Sequence, residues 1–391
     1  MQTQYRTQIA IIGGGICGLW LLNTLTQRGY ACVLMEQESL GGEQTLASQG
    51  MIHGGIKYAL TGFTTPSSES IAGMPARWHD CINGVGDPDL TNINRLSSTY
   101  YLFSDKTLTS RITTFFGSRT LRGRVTRLQR TEHPTFFSHE AFKGIVYRLQ
   151  DMVIDTVSLV ESLTTNLRYR ILQSSPVISQ NPDGSISGLA LAEGIELEAD
   201  YYILAAGKGN AALLANTPLA RLGMQTRPLH QVLIKKAGLP PLYAHGISLA
   251  AGTKPRVTIT THERSDGDTV WYLGGNLAET GVDRTSKEQI AFAQQEIHAL
   301  FPWVDLRDAQ WRTLVIDRAE AANADGSRPD IPFCKQSGNT IVCWPTKLTL
   351  TPLVSDYVIA MLAPLPHWRH KELLPPLQTP GIGRPPWETC F

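Results

Sequence analysis

Gly13-Gly14-Gly15-Ile16-Cys17-Gly18 fits the pattern G-x-G-x-x-G, and an acidic residue, Glu36, follows downstream. These residue types at this spacing can hold a dinucleotide. Gly13 permits a tight turn, Gly15 lets the backbone approach a pyrophosphate, and Gly18 lets a helix pack close to a sheet. The start of that helix offers unpaired N–H groups and partial positive charge to the phosphates. Glu36 can accept the hydroxyls of a ribose and would repel a 2′-phosphate. The motif alone does not separate FAD from NAD.

A glycine loop works only if the flanking elements aim it. Residues 8–12 are short, rich in β-branched side chains and bounded by glycine, which predicts a buried parallel strand. Residues 19–28 carry helical spacing, with Gly29 as the stop. Residues 31–35 predict a second buried strand ending at Glu36, so the motif sits inside a βαβ unit.

Composition limits the rest. The chain has 391 residues, 42% of them hydrophobic, enough for two domains sharing a packed core. Lys plus Arg number 35 against 34 Asp plus Glu, a net charge of +1, which gives no nucleic-acid surface. Arginines gather locally at Arg119, Arg122, Arg124, Arg127 and Arg130, in what reads as a solvated basic segment. The six cysteines form no C-x-x-C pair and no zinc spacing; Cys17 and Cys32 read as small core residues. This predicts a reducing, cytoplasmic setting, with peripheral membrane contact left open. No apolar run is long enough to predict a spanning helix.

Further along, Asp155 is placed to cap a helix over 156–164. Strands are expected over 98–103 and 168–172. Residues 177–204 predict a β-meander turning at Asn181-Pro182-Asp183-Gly184 and running into Ala205-Ala206-Gly207. Strands dominate 225–311, notably 256–261 and 270–273. A helix is predicted over 286–300, a strand over 340–343, and a last helix from near Pro352 to Leu362. The proline-rich tail after Pro364 is expected to be extended. The nucleotide-type pattern recurs at the start, middle and end of the chain. The expected fold is therefore α/β: a Rossmann-type domain from residues 1–72, 148–224 and 320–391, with an inserted α+β substrate domain, mainly an antiparallel sheet, from 73–147 and 225–319.

The segment from Gly42 through Thr45, Ser48, Gln49, Gly50 and His53 to Tyr58 resembles the flavin-contacting loop of the D-amino-acid oxidase superfamily. Ile52-His53-Gly54-Gly55-Ile56-Lys57-Tyr58 is most similar to the branch with glycerol-3-phosphate and L-2-hydroxyglutarate dehydrogenases. Lys347-Leu348-Thr349, Arg328-Pro329-Asp330-Ile331-Pro332 and Leu204-Ala205-Ala206-Gly207 resemble further superfamily segments, in order along the chain. Two departures stand out. The extra C-terminal domain of the glycerophosphate enzymes has no counterpart here. Trp344-Pro345-Thr346 also replaces glycine-rich sequence before the last helix.

The resemblance implies an FAD-dependent oxidase or dehydrogenase that oxidises a small hydroxy acid or polyol by hydride transfer to flavin N5. Amine or amino-acid oxidation, a non-catalytic flavin redox sensor and an NAD-dependent dehydrogenase are the alternatives. The partners expected are a small-molecule substrate and an electron acceptor: oxygen, a quinone or a carrier protein. The cofactor residues implied are Gly13, Gly15, Gly18, Glu36, Thr45, Ser48, Gln49, Gly50, His53, Val177, Ala206, Gly207, Lys347, Leu348 and Thr349. Thr45 and Ser48 could bond phosphate or flavin, or cap their own turns. Lys347 is expected at the pyrimidine edge, where positive charge stabilises the reduced flavin. His53 is a base, a donor, a covalent attachment point or a loop brace. Arg318 is expected to fork a substrate carboxylate or to form an ion pair with Asp317 or Glu320. His262, at a strand end, is a pocket residue or an ordinary surface one. No metal site is expected.

Overall fold

A computed structural model of the chain describes residues 3–55, 71–104, 125–215, 217–247, 255–323, 325–327, 329, 331–364, 368 and 373–391. Ile56, Lys57, Tyr58, Arg119, Arg122, Arg124, Arg328 and Asp330 lie outside the described residues.

Five strands form a parallel sheet in the spatial order Ile171–Gln173, Cys32–Glu36, Thr3–Ile12, Ile195–Leu204 and Thr340–Trp344. Both faces of the central strand are buried. Ile9 and Ile11 join the helices on one side, and Ala10 and Ile12 join the core on the other. This double burial is why the motif strand reads as an apolar run without alternation. The strand also begins earlier than the apolar run suggests, because Thr3 to Thr7 pair with Ile195 to Ala199.

Helix Ile16–Gln27 packs against helix Thr351–Met361, joined by a 2.8 Å bond between the buried Thr24 and Ser355 hydroxyls. Helix Thr156–Thr165 is capped by Asp155, whose carboxylate accepts from the Val157 and Ser158 N–H groups. The meander Val177–Gln180, Ile186–Ala190 and Ile195–Leu204 forms as the turn residues predict.

The second sheet has eight strands, in the order Gln310–Ala321, Met224–Lys235, Thr269–Gly274, Val257–Glu263, Ala244–Ile247, Tyr100–Ser104, Ile145–Leu149 and Val125–Arg127. Every pairing is antiparallel except Tyr100–Ser104 with Ala244–Ile247. Helix Ser286–Leu300 packs on one face through Ala293 and Ile297.

Local sequence misjudged three places. The strand expected over 98–103 forms over Tyr100–Ser104 in the large sheet, and a separate short strand just before it, Arg95–Ser97, was missed and joins a small three-stranded sheet. Residues 168–170 form a 3-10 turn, and the strand begins at Ile171. The tail ends in the helical turn Pro386–Thr389, which lays Trp387 on the large sheet. Among the described residues no helix is long and apolar enough to cross a membrane, and no cluster of His, Cys, Asp and Glu is arranged to hold a metal.

Candidate active site

Four parallel strands lead onto one cavity of about 800 Å³, which Ile12, Glu36 and Trp344 line from the last residues of three of them and Ala205 from the residue just after the fourth. Ligands of open parallel sheets bind at this carboxyl edge, and the volume lies within the ~300–1,000 Å³ typical of cofactor pockets. The opposite wall comes from two paired strands of the second sheet. Leu229 and Gln231 line it from Met224–Lys235, and Ile316 and Arg318 from Gln310–Ala321.

The glycine loop shows why each glycine stands where it does. Gly13 has φ +115°, and a Cβ on it would lie 2.6 Å from the Ala206 Cα. A Cβ on Gly18 would lie 2.0 Å from the Gly13 oxygen, so close packing excludes any side chain. Gly15 differs. Its φ of −76° suits any residue, and a Cβ there would meet only the Thr45 Oγ1, at 3.4 Å. It lines the cavity, so what a side chain would displace is a ligand and not the protein. Beside it begins helix Ile16–Gln27, with no acidic residue in its first turn to neutralise its positive end. Glu36 also lines the cavity; its carboxylate accepts from the Gly14 N–H at 2.7 Å and the Glu38 N–H at 3.0 Å. These groups fit a dinucleotide: open backbone for the pyrophosphate and a held carboxylate for the ribose.

Of the cofactor residues expected from sequence, all but Gly18 line this cavity, and Gly18 packs directly beneath it. Thr45 Oγ1 accepts the Ile16 N–H at 3.0 Å, so its hydroxyl serves the helix start. Ser48 caps its own turn by accepting from the Gly50 N–H at 3.4 Å. Gly50, at φ +68°, must be glycine: a Cβ would lie 2.0 Å from the Ile154 oxygen. The Gln49 amide donates to the Tyr272 carbonyl at 2.7 Å and ties this loop to the second sheet. Val177 lines the mouth and is largely exposed.

Lys347 also lines the cavity, immediately before the 3-10 turn Leu348–Leu350 that leads into helix Thr351–Met361. The Thr349 hydroxyl donates to the His53 carbonyl at 3.2 Å, which locks the two loops together. Thr346, just before Lys347, has φ +58°, a costly conformation for a β-branched residue. The family's usual glycine-rich sequence would adopt it freely.

His53 Nδ1 accepts the Gly55 N–H at 3.2 Å. In the neutral ring the hydrogen then sits on Nε2, which makes that edge a donor. Arg318 lines the cavity, its Nε donating to the Arg227 carbonyl at 3.1 Å and its Nη1 3.6 Å from Glu279. The ion-pair partner is thus Glu279 of the short helix Asn276–Glu279; Glu320, expected as a partner, turns to Arg227.

His262 is not brought to the cavity. It is 2% exposed, bonded to the Thr260 hydroxyl and stacked 3.7 Å from the Trp387 ring. Burial pushes its pKa down to about 3, as expected for an imidazole held neutral in a core. The strand-end position in the sequence gave no sign of this, because the covering residue lies at the far end of the chain. Gln231, Leu229 and Ile316 went unrecognised for a related reason. Alternation can mark their strands, but not what the inward face looks upon.

The family model for the FAD dependent oxidoreductases named DAO matches residues 8–344. The chain belongs to that family. It is therefore an oxidoreductase, and FAD is its cofactor. "Probable FAD-dependent oxidoreductase PA4991" of Pseudomonas aeruginosa is 44% identical over 98% of both chains. The crystal structure of PA4991 superposes with a TM-score of 0.83 at 39% identity, covering 99% of each chain. Iminodiacetate oxidase from Chelativorans sp. shares the fold at TM-score 0.66 and 19% identity, over 92% of this chain and 97% of that one. So does L-alpha-glycerophosphate oxidase from Mycoplasma pneumoniae, solved with FAD bound, at TM-score 0.66 and 13% identity, over 97% and 99%.

Proposed function

We propose that this DAO-family oxidoreductase oxidises a small carboxylic acid at a C–H beside an amine nitrogen. The observation that carries this is Arg318, which lines the same cavity as the glycine loop, His53 and Lys347. A guanidinium at the substrate end matches a carboxylate through two parallel N–H bonds. Bound FAD supplies a hydride acceptor. Gly15 and the start of helix Ile16–Gln27 would hold its pyrophosphate, Glu36 its adenosine ribose, and Lys347 its pyrimidine edge.

The chain's own residues then orient the acid. Arg318 fixes the carboxylate, while Leu229 and Ile316 offer an apolar surface. With FAD bound, these residues would hold the α-carbon's C–H toward the hydride acceptor, and loss of that hydride would leave a C=N bond to the nitrogen. The ammonium of a free amino acid first loses a proton to solvent, and the neutral amine then needs no base in the C–H step. Alcohol oxidation must also lose the O–H proton, and the His53 Nδ1 is already engaged by the Gly55 N–H at 3.2 Å. The amine therefore fits this wall better than the hydroxy acid expected from sequence.

The hydroxy-acid reading keeps one support, the likeness of Ile52-His53-Gly54-Gly55 to the glycerophosphate branch. The shared fold does not choose, since similar structures bear the names of both iminodiacetate and glycerophosphate oxidases. Anaerobic titration of the yellow holoprotein with matched amino and hydroxy acids tests the proposal. Bleaching by amino or imino acids is expected. Bleaching by hydroxy acids alone would overturn it.

A further inference from the structure

Gln231 is 3% exposed, lines the cavity and stands on the strand that faces the flavin loop. One end of its amide meets the fully buried Tyr272 hydroxyl at 2.6 Å. Among the described residues the other end has no protein partner. Gln231 lines the cavity, which leaves that end open to a ligand.

The phenol decides which end that is. The Tyr272 hydroxyl lies 2.6 Å from the Gln231 Oε1 and 2.9 Å from the Ala47 carbonyl oxygen. One phenol carries one hydrogen, and a backbone carbonyl can only accept. We take the Gln231 amide in the turned orientation, which leaves its shape unchanged and gives the phenol oxygen one donor and one acceptor. Its NH2 then donates to the phenol oxygen, the phenol donates to Ala47, and the Gln231 carbonyl oxygen points into the cavity. The same phenol–Ala47 contact anchors the flavin loop, so Gln231 is held beside the cofactor site and not at the rim.

We propose that Gln231 is the residue that selects an amine, by accepting an N–H from the substrate with its carbonyl oxygen. This rests on the carboxylate reading above and sharpens it. An amide carbonyl accepts a hydrogen bond but does not take up a proton, so it can orient an amine without acting as a base. In the antiparallel register Leu229 faces Ile316 and Arg227 faces Arg318. Gln231 and Arg318 therefore lie on one face with the Leu229–Ile316 row between them. An α-amino acid fits if its α-carbon sits over that row, with its carboxylate turned toward Arg318 and its amine toward Gln231. Tyr272 is a positioning residue: it fixes the amide's orientation without touching the ligand.

The test compares 2-aminobenzoate with benzoate, probes differing by one amine, read by perturbation of the flavin spectrum in holoprotein. Wild type is expected to bind 2-aminobenzoate the more tightly. Gln231→Met should abolish that preference by weakening 2-aminobenzoate roughly tenfold, with benzoate unchanged within about twofold. Gln231→Glu, which keeps an acceptor, should retain the preference, and it serves if the Met variant loses its flavin. Tyr272→Phe should reduce the preference while sparing benzoate. Equal weakening of both probes in Gln231→Met would make Gln231 a carboxylate donor and overturn the proposal, as would an unchanged preference. If neither probe perturbs wild type, the carboxylate reading fails. Benzylamine and benzyl alcohol then take their place. An amine preference in wild type that Gln231→Met removes supports the Gln231 assignment; anything else overturns it.

Discussion

The two walls of the cavity are made differently. The cofactor wall is backbone: Gly13 and Gly15, backed by Gly18, the N–H groups opening helix Ile16–Gln27, and the turn at Gly50. The substrate wall is side chain: Gln231, Arg318, Leu229 and Ile316 on two paired strands, with His53 and Lys347 entering from loops. Backbone grips what the family shares. Side chains on a rigid sheet can be exchanged without disturbing that grip. Changes to the first wall should therefore alter FAD loading, and changes to the second should alter substrate use with FAD retained.

Gly15→Val should give the largest effect. Its backbone angle suits valine and only Thr45 lies near, so the protein should fold and keep its melting temperature. That holds for the FAD-free proteins; the side chain occupies cavity space, and FAD content after purification should fall roughly tenfold or more, as for an overpacked contact costing about 1–3 kcal/mol, with the stabilisation that bound FAD gives lost alongside it. Absorbance of bound flavin per chain measures it. Full occupancy would show that this loop does not face the pyrophosphate.

This contrast also explains what could be read from sequence. Gly13, Gly15, Gly18 and Glu36 are legible because backbone approach and φ angle restrict the residue type. Asp155 and the helix over 286–300 are legible because caps and periodicity are local. Gln310–Ala321 was not recognised as one strand, because its charged residues alternate irregularly on an edge strand wetted on one side. Gln231 was invisible because its role depends on Tyr272 and Ala47, both distant in sequence. His262 misled because Trp387, which covers it, lies 125 positions later (387 − 262).

Lys347 enters the cavity from a loop and should act on the cofactor rather than on its loading. Lys347→Met should retain FAD, lower its reduction potential and weaken the sulfite adduct several-fold, since a positive charge facing added negative charge is lost. Unchanged potential and sulfite affinity would move Lys347 away from the pyrimidine edge.

His262 should touch stability alone. Its folded pKa, about 3, lies below the unfolded value near 6.5, so the unfolded chain binds the extra proton between them. Its contribution is fully present above pH ~6.5 and declines as pH falls toward 3, by about 2 kcal/mol at pH 5. His262→Phe keeps the stack on Trp387 and should flatten acid destabilisation, while flavin reduction by substrate stays as in wild type. Thermal melts from pH 7 to pH 5 follow this, and an unchanged acid slope would count against it.

The most direct test of the two-wall account is anaerobic reduction of the bound flavin by the best amino acid, in wild type and Arg318→Lys. Lysine keeps the charge and loses the fork. The account predicts unchanged FAD content and melting temperature, with half-reduction needing roughly 10- to 100-fold more substrate, the ratio expected for a lost charge-assisted bond of ~1.5–3 kcal/mol. An unchanged substrate requirement, or loss of FAD from Arg318→Lys, would contradict it.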